Sequence, residues 1–267
     1  MTDKVNKYET ILVDEPLPGV LRVTLNRPEF SNAFNTQSGH ELYDVFHPLE
    51  LEHRRYRCVV VTGAGDKVFC AGGDLKERKT LSDDEWVRQH ELFERTFRAI
   101  LNCPLPVIAA VNGHAFGGGL ELMMLCDFAY ASSGARFALT EVSLGIMPGG
   151  AGTQTMARAV GEARAKELVL SATPFSAEEA LNWGLVNRVF EPGAVLEKAL
   201  EVAQRIAGNA PLSVRQAKHS IHYGLQMDIR SGMMFEIEAY QRMVKSEDRL
   251  EGILAFNEKR KPVFKGK

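Results

Sequence analysis

The chain has 267 residues, 45% hydrophobic and 25% charged, a composition that excludes disorder and suits one large core with an appendage. Its 32 Lys and Arg against 34 Asp and Glu leave a formal charge of −2, which gives no global attraction to nucleic acid or an anionic membrane surface. Cys58, Cys70, Cys103 and Cys126 form no CxxC pair, and three of them lie in or beside apolar runs, as reduced thiols in a cytoplasmic protein do.

MTDKVNKYETILVDE has neither the apolar core of a secretory signal nor the Arg- and Ser-rich character of a transit peptide. Short β-like runs at 20–26, 58–62, 107–111, 128–131, 137–139 and 185–190 alternate with glycine turns and amphipathic helices. This pattern predicts an α/β core whose strands are buried on both faces. Ser82 with Glu85, and Ser176 with Glu179, have the spacing of capping boxes and mark two helix starts. Asn112, Glu121 and Asp127 interrupt the longest apolar stretches, so no membrane span is expected. From about Pro192 helical patterns dominate, over 194–207, 212–223 and 227–244, which divides the chain into a core over 1–191 and a helical region over 192–267. No fixed-period repeat is present.

Three glycine-rich segments carry the chemistry. In VVVTGAGDKVFCAGGDL a strand ends at Gly63 and Gly65, but Val68 stands where a third glycine of a dinucleotide fingerprint belongs. The pair Gly72 and Gly73 is more telling, because adjacent glycines let backbone N–H groups approach a developing oxyanion; a tight turn is the plainer reading. In NGHAFGGGLELMMLCD three glycines run into an apolar helix with Glu121 in its first turn. Free N–H groups at such a terminus attract negative charge, and Glu121 lies one turn beyond Gly118. No GK[ST] follows, which excludes a P-loop.

The third segment, EVSLGIMPGGAGTQ, leads from Glu141 into a helix near Thr153, whose terminus is expected to steady the Glu141 loop. Two carboxylates in apolar surroundings need partners or a raised pKa, and in unlike environments one can serve as acid and the other as base. A purely structural role, satisfying backbone or pairing with arginine, is the competing reading for Glu121. His219 and His222 share a helix face without HExxH or nearby carboxylates, so they read as surface or interface residues rather than metal ligands. The basic tail KRKPVFKGK reads as a solvated end that could contact a phosphorylated ligand.

Together, LNRPEFSNAF, FCAGGDLKE, PVIAAVNGHAFGGGLEL, the Glu141 loop and AEEALNWGLVNRV resemble the crotonase, or enoyl-CoA hydratase/isomerase, superfamily over almost the whole chain. The resemblance implies a spiral of ββα units followed by a C-terminal α-helical trimerisation region, assembled as a trimer or a hexameric dimer of trimers. It implies an oxyanion hole from the N–H groups of Gly73 and Gly118, catalysis by Glu121 and Glu141 on one shared water, and proton exchange at the α-carbon by Glu141. CoA, as part of the acyl-CoA substrate, would lie along Arg27, Ser31, Ala33, Ala71, Gly72, Gly73, Asp74 and Leu75, with Gly149 also at the substrate site. No metal or redox cofactor is implied.

The reaction implied is addition of water to a trans-2-enoyl-CoA, giving a 3-hydroxyacyl-CoA, as in fatty acid or branched-chain amino acid degradation. FCAGGDLKERKTLS, KELVLSA and EDRLEGILAFNEKRKPVFKGK look most like the methylglutaconyl-CoA hydratase and AU-rich RNA-binding subgroup, which points to 3-methylglutaconyl-CoA. Phe137 to Leu139 resemble carnitinyl-CoA dehydratase instead, and the usual PGAGGTQRL is PGGAGTQTM here, with Thr155 in place of arginine. Enoyl-CoA isomerisation is a further alternative, although isomerases commonly lack one or both acids. RNA binding is the rival from another class, but the region matching the subgroup's lysine-studded helix has no lysine and contains Glu41, Asp44, Glu50 and Glu52.

Overall fold

A computed structural model describes residues 7–267. Its strands are β1 (Ile11–Leu17), β2 (Val20–Leu25), β3 (Cys58–Gly63), β4 (Val68–Cys70), β5 (Val107–Val111), β6 (His114–Phe116), β7 (Phe128–Ser132), β8 (Arg136–Ala138), β9 (Phe175–Ser176) and β10 (Arg188–Phe190). The helices are α1 (Thr36–Leu49), α2 (Leu75–Arg78), α3 (Asp83–Leu101), α4 (Gly118–Leu125), α5 (Gly152–Val160), α6 (Glu162–Ser171) and α7 (Ala177–Asn182), then α8 (Val195–Ala207), α9 (Pro211–Gly224), α10 (Ile229–Val244) and α11 (Glu247–Asn257). Serine–glutamate capping boxes open α3 and α7 as expected, and Asn35 with Ser38 forms another at α1.

The main sheet runs β1-β2-β3-β5-β7-β10, antiparallel only between β1 and β2. Its continuous apolar runs are explained by two buried faces. Val59 and Val61 of β3, with Val107, Ala109 and Val111 of β5, enter the principal core; Cys58, Val60, Ile108 and Ala110 point the other way. This alternation follows from the two-residue period of a strand. Helix α8 covers that second face with Val195, Ala199 and Ala203, spaced by four on one helical stripe, so a helix beyond residue 191 closes the main sheet.

The small sheet runs β4-β6-β8-β9 and stands beside the main one. Together the sheets set the glycine turns. Strand β4 leads into Ala71–Gly73, β6 into Gly117, and β8 into Thr140 and Glu141; parallel β4–β6 and β6–β8 pairing brings all three exits to the same edge. Four of these strands were not legible as such: β1, β4, β6 and β9. The β8 and β10 runs also differ from the expected 137–139 and 185–190, since pairing with β6 and β7 fixes their ends.

The terminal basic segment is tied down through its backbone. Asp248 accepts the N–H groups of Lys265 and Gly266 at 2.7 and 2.8 Å, and Glu251 accepts that of Val263 at 2.7 Å. Its expected freedom as a solvated end is therefore corrected: the side chains are largely exposed, but the main chain is docked against α11. His219 and His222 make edge contacts with Tyr223. Among the described residues no group of three or more His, Cys, Asp or Glu is arranged to hold a metal, and no helix is long and apolar enough to cross a membrane.

Candidate active site

The turn after β4 and the turn before α4 meet. Gly72 has φ +92°, and a Cβ there would stand 2.9 Å from Phe116 O and 3.0 Å from Gly118 N, so only glycine permits both the conformation and the approach. An isolated bridge joins Phe34 to Gly73: Phe34 donates its N–H to Gly72 O and accepts that of Asp74, both at 2.7 Å. This pattern uses the groups on either side of Gly73 and leaves the Gly73 N–H without an acceptor among the described residues. The Gly118 N–H, at the first position of α4, also lacks one. Both glycines line one cavity of about 680 Å³ together with Glu121 and Glu141.

Glu121 is 4% exposed and Glu141 8%. Their surroundings differ. Glu121 Oε1 accepts the N–H groups of Gly150 at 2.8 Å and Gly152 at 2.7 Å, while Oε2 has no donor among the described residues. Glu141 begins a 3₁₀ turn over Glu141–Leu144, and its buried Oε2 has no hydrogen-bond partner among the described residues. Burial pushes the Glu121 carboxyl up to about 7; the Gly152 N–H opposes that rise, nearby Glu141 adds to it, and Gly150 and Arg78 oppose it further. Glu141 is raised as well, again mainly by burial, with Arg78 pulling the other way. Two neighbouring carboxyls, both raised and Glu121 to about 7, can exchange protons with a shared water or substrate.

The third glycine loop works on a different acid from the one expected. Its helix terminus grips Glu121, held across 29 and 31 positions of sequence, instead of steadying the Glu141 loop. Cβ atoms at Gly150 and Gly152 would each come within 2.7 Å of a Glu121 oxygen. Gly149 lines the cavity where the His90 ring packs over it.

The remaining expected positions divide into two groups. Ala71, Gly72 and Leu75 line the cavity with Gly73. Arg27, Ser31, Ala33 and Asp74 stand behind that wall. Arg27 donates to Ala33 O at 2.7 Å and to Asp74 Oδ2 at 2.9 Å, Asp74 caps α2 through the N–H groups of Lys76 and Glu77, and Ser31 O accepts the Ala71 N–H at 3.1 Å. Asp74 is thus fully engaged in holding the turn. The Arg27 guanidinium also lies over the half-exposed Phe30 ring, 4.5 Å from its centroid.

Arg78 was not singled out by sequence. Its guanidinium lines the cavity, lies against Gly73 and stacks over Trp86 at 4.5 Å and Phe93 at 5.7 Å, while Nε donates to Gln89 at 2.9 Å. No carboxylate forms an ion pair with it among the described residues, and burial lowers its pKa. The only sequence signal was its place in DLKER, five residues past Gly73.

The family model for enoyl-CoA hydratase/isomerase matches residues 16–267, and the chain belongs to that family. A short-chain-enoyl-CoA hydratase of Clostridium acetobutylicum is 43% identical over 239 residues, covering 90% of this chain and 91% of the relative. The mitochondrial methylglutaconyl-CoA hydratase of Mus musculus is 36% identical over 258 residues, covering 95% and 82%. A crystal structure of enoyl-CoA hydratase from Bacillus anthracis superposes with a TM-score of 0.94 at 41% identity, covering 97% of this chain and all of that one. The crotonase-like α/β fold with its C-terminal helices is thereby established, and the protein is an enzyme of this family.

Proposed function

We propose that the protein is an enoyl-CoA hydratase that adds water reversibly across the double bond of a trans-2-enoyl-CoA. The observation that carries this reading is the pair of buried carboxyls, Glu121 and Glu141, lining one cavity with Gly73 and Gly118, whose N–H groups have no acceptor among the described residues. The two N–H groups polarise the thioester carbonyl and stabilise the enolate that forms when oxygen adds at C3. Glu121 and Glu141 hold the attacking water between them. One removes its proton as the C3–O bond forms, and a proton is delivered to C2, with Glu141 assigned that exchange. Neither step calls on a metal or redox cofactor.

The acyl preference is read from Arg78. A partly buried guanidinium without a carboxylate partner is costly unless an anion meets it, and Arg pairs carboxylates through two parallel hydrogen bonds. This supports an enoyl group ending in a carboxylate, with 3-methylglutaconyl-CoA as the specific proposal. CoA would cross the Ala71–Leu75 edge, near Arg27 and Lys76 around the Phe30 ring. The exposed Met233, Met234, Ile237 and Tyr240 of α10, with Leu250, Ile253 and Leu254 of α11, support assembly as a homo-oligomer. Four free, buried cysteines suit a reducing compartment such as the cytoplasm.

The test is turnover of crotonyl-, 3-methylglutaconyl-, crotonobetainyl- and longer trans-2-enoyl-CoAs, followed by loss of the conjugated thioester absorbance. Highest kcat/KM on 3-methylglutaconyl-CoA is expected. Absence of turnover on all of them would overturn the hydratase reading; a preference for uncharged chains would overturn the acyl assignment alone.

A further inference from the structure

Between the two residues that grip Glu121 stands Ala151, at φ +81° and ψ 4°. The left-handed region costs an L-residue about 1–2 kcal/mol and is uncommon outside glycine. This alanine accepts it at the N-cap of α5, flanked by glycines that carry no such demand on their side chains. The conformation is over-determined from one side: Ala151 O accepts the N–H groups of Gln154 and Thr155, both at 2.9 Å, and Thr155 Oγ1 at 3.0 Å. Its consequence is directional. A left-handed residue between Gly150 and Gly152 turns both flanking N–H groups toward the same side, where both meet Glu121 Oε1.

We infer that Ala151 is a positioning residue for the acid–base pair: its left-handed turn locks Glu121 by Oε1 and leaves Oε2 as the oxygen that handles the proton. Strain of this kind persists where a site over-determines it. Thr155, at the position where the family pattern carries arginine, supplies two of the bonds that hold the turn, one of them from its side chain. The inference rests on Glu121 acting as an acid–base group. The other charged or titratable groups around it are Glu141 from the 3₁₀ turn, Arg78 from α2, and His90, Glu91 and Glu94 from α3, all lining the same cavity.

The test reads Glu121 directly, without turnover. Infrared titration of the carboxyl stretch in the full-length protein, with the Glu121→Gln spectrum subtracted, gives the midpoint of Glu121 in the unaltered chain and in Ala151→Gly and Ala151→Val. Glycine adopts the turn freely, so the midpoint should stay within about 0.3 pH unit and the melting temperature should not fall. Valine resists the left-handed region, so the two N–H bonds are lost and the midpoint should rise by about one pH unit or more. Coincident midpoints in all three proteins would overturn the inference, as would a melting temperature of Ala151→Gly below that of the unaltered chain. If the valine chain does not fold, Thr155→Val, which removes the Thr155 Oγ1 bond to Ala151 O, takes its place: its Glu121 midpoint should rise, and an unchanged midpoint would overturn the inference. Failure of the unaltered protein to hydrate any enoyl-CoA would remove the hydratase reading and leave this titration unaffected.

Discussion

Gly152 donates its backbone N–H to Glu121 Oε1 at 2.7 Å from the first turn of another helix, 31 positions away in sequence. The terminus of α5 therefore faces the carboxylate as a fixed dipole, favouring its charge, while burial opposes that charge and leaves the group near 7 instead of near 4.5. A carboxyl balanced in this way is useful for proton exchange and expensive for stability.

That expense has a sign. A carboxyl whose folded pKa is raised binds more protons folded than unfolded, so its contribution falls as pH rises from about 4.5 to about 7 and stays lost above that. The full loss is about 3 kcal/mol on an order-of-magnitude basis. Glu121→Gln keeps an oxygen for both N–H donors and removes the titration. Urea unfolding should find it more stable than the unaltered chain at pH 8, with the advantage shrinking toward pH 5. Equal stabilities at both pH values would contradict the burial argument.

Gly152→Ala tests the grip itself. The added Cβ would meet Glu121 Oε1 at 2.7 Å and Cγ at 3.0 Å, so the carboxyl must move. A loss of stability of about 1–3 kcal/mol is expected from overpacking, with kcat falling by roughly tenfold or more because a displaced acid misses its proton. Measured kcat and unfolding free energy near those of the unaltered chain would mean that the loop yields and the grip is incidental.

Arg78→Gln separates acyl recognition from chemistry. For 3-methylglutaconyl-CoA, KM should rise by about 10- to 100-fold, the scale of losing one charge-assisted pair, while kcat/KM for crotonyl-CoA changes far less. Parallel losses on both substrates would instead assign Arg78 to the electrostatics of the glutamate pair, toward which its charge also acts.

Much of this arrangement was legible in sequence, for identifiable reasons. Strands β2, β3, β5 and β7 are long apolar runs because their neighbours bury both faces, and the Gly72–Gly73 pair stands out because the turn at Gly72, with φ +92° and the Phe116 and Gly118 backbone 2.9 and 3.0 Å from a Cβ, needs glycine. The two-residue β9 and three-residue β4 and β6 carry no readable period; pairing across the small sheet creates them. Sequence proximity alone assigns the α5 terminus to steadying the Glu141 loop, whereas its N–H groups bind Glu121. Only tertiary folding reveals which carboxyl arrives there. Arg78 escaped notice for a similar reason: an arginine in a charged helix looks like surface until Trp86, Phe93 and Gln89 enclose it.

The central claim, that Glu121 and Glu141 work on one water beside the Gly73 and Gly118 N–H groups, is tested most directly by hydration rates of a trans-2-enoyl-CoA that the unaltered protein turns over, measured side by side for that protein, Glu121→Gln and Glu141→Gln, with CoA affinity measured in parallel. Each substitution should lower kcat by about 10²-fold or more with CoA affinity largely retained. Near-normal turnover in either variant would contradict the claim and return that glutamate to a structural role.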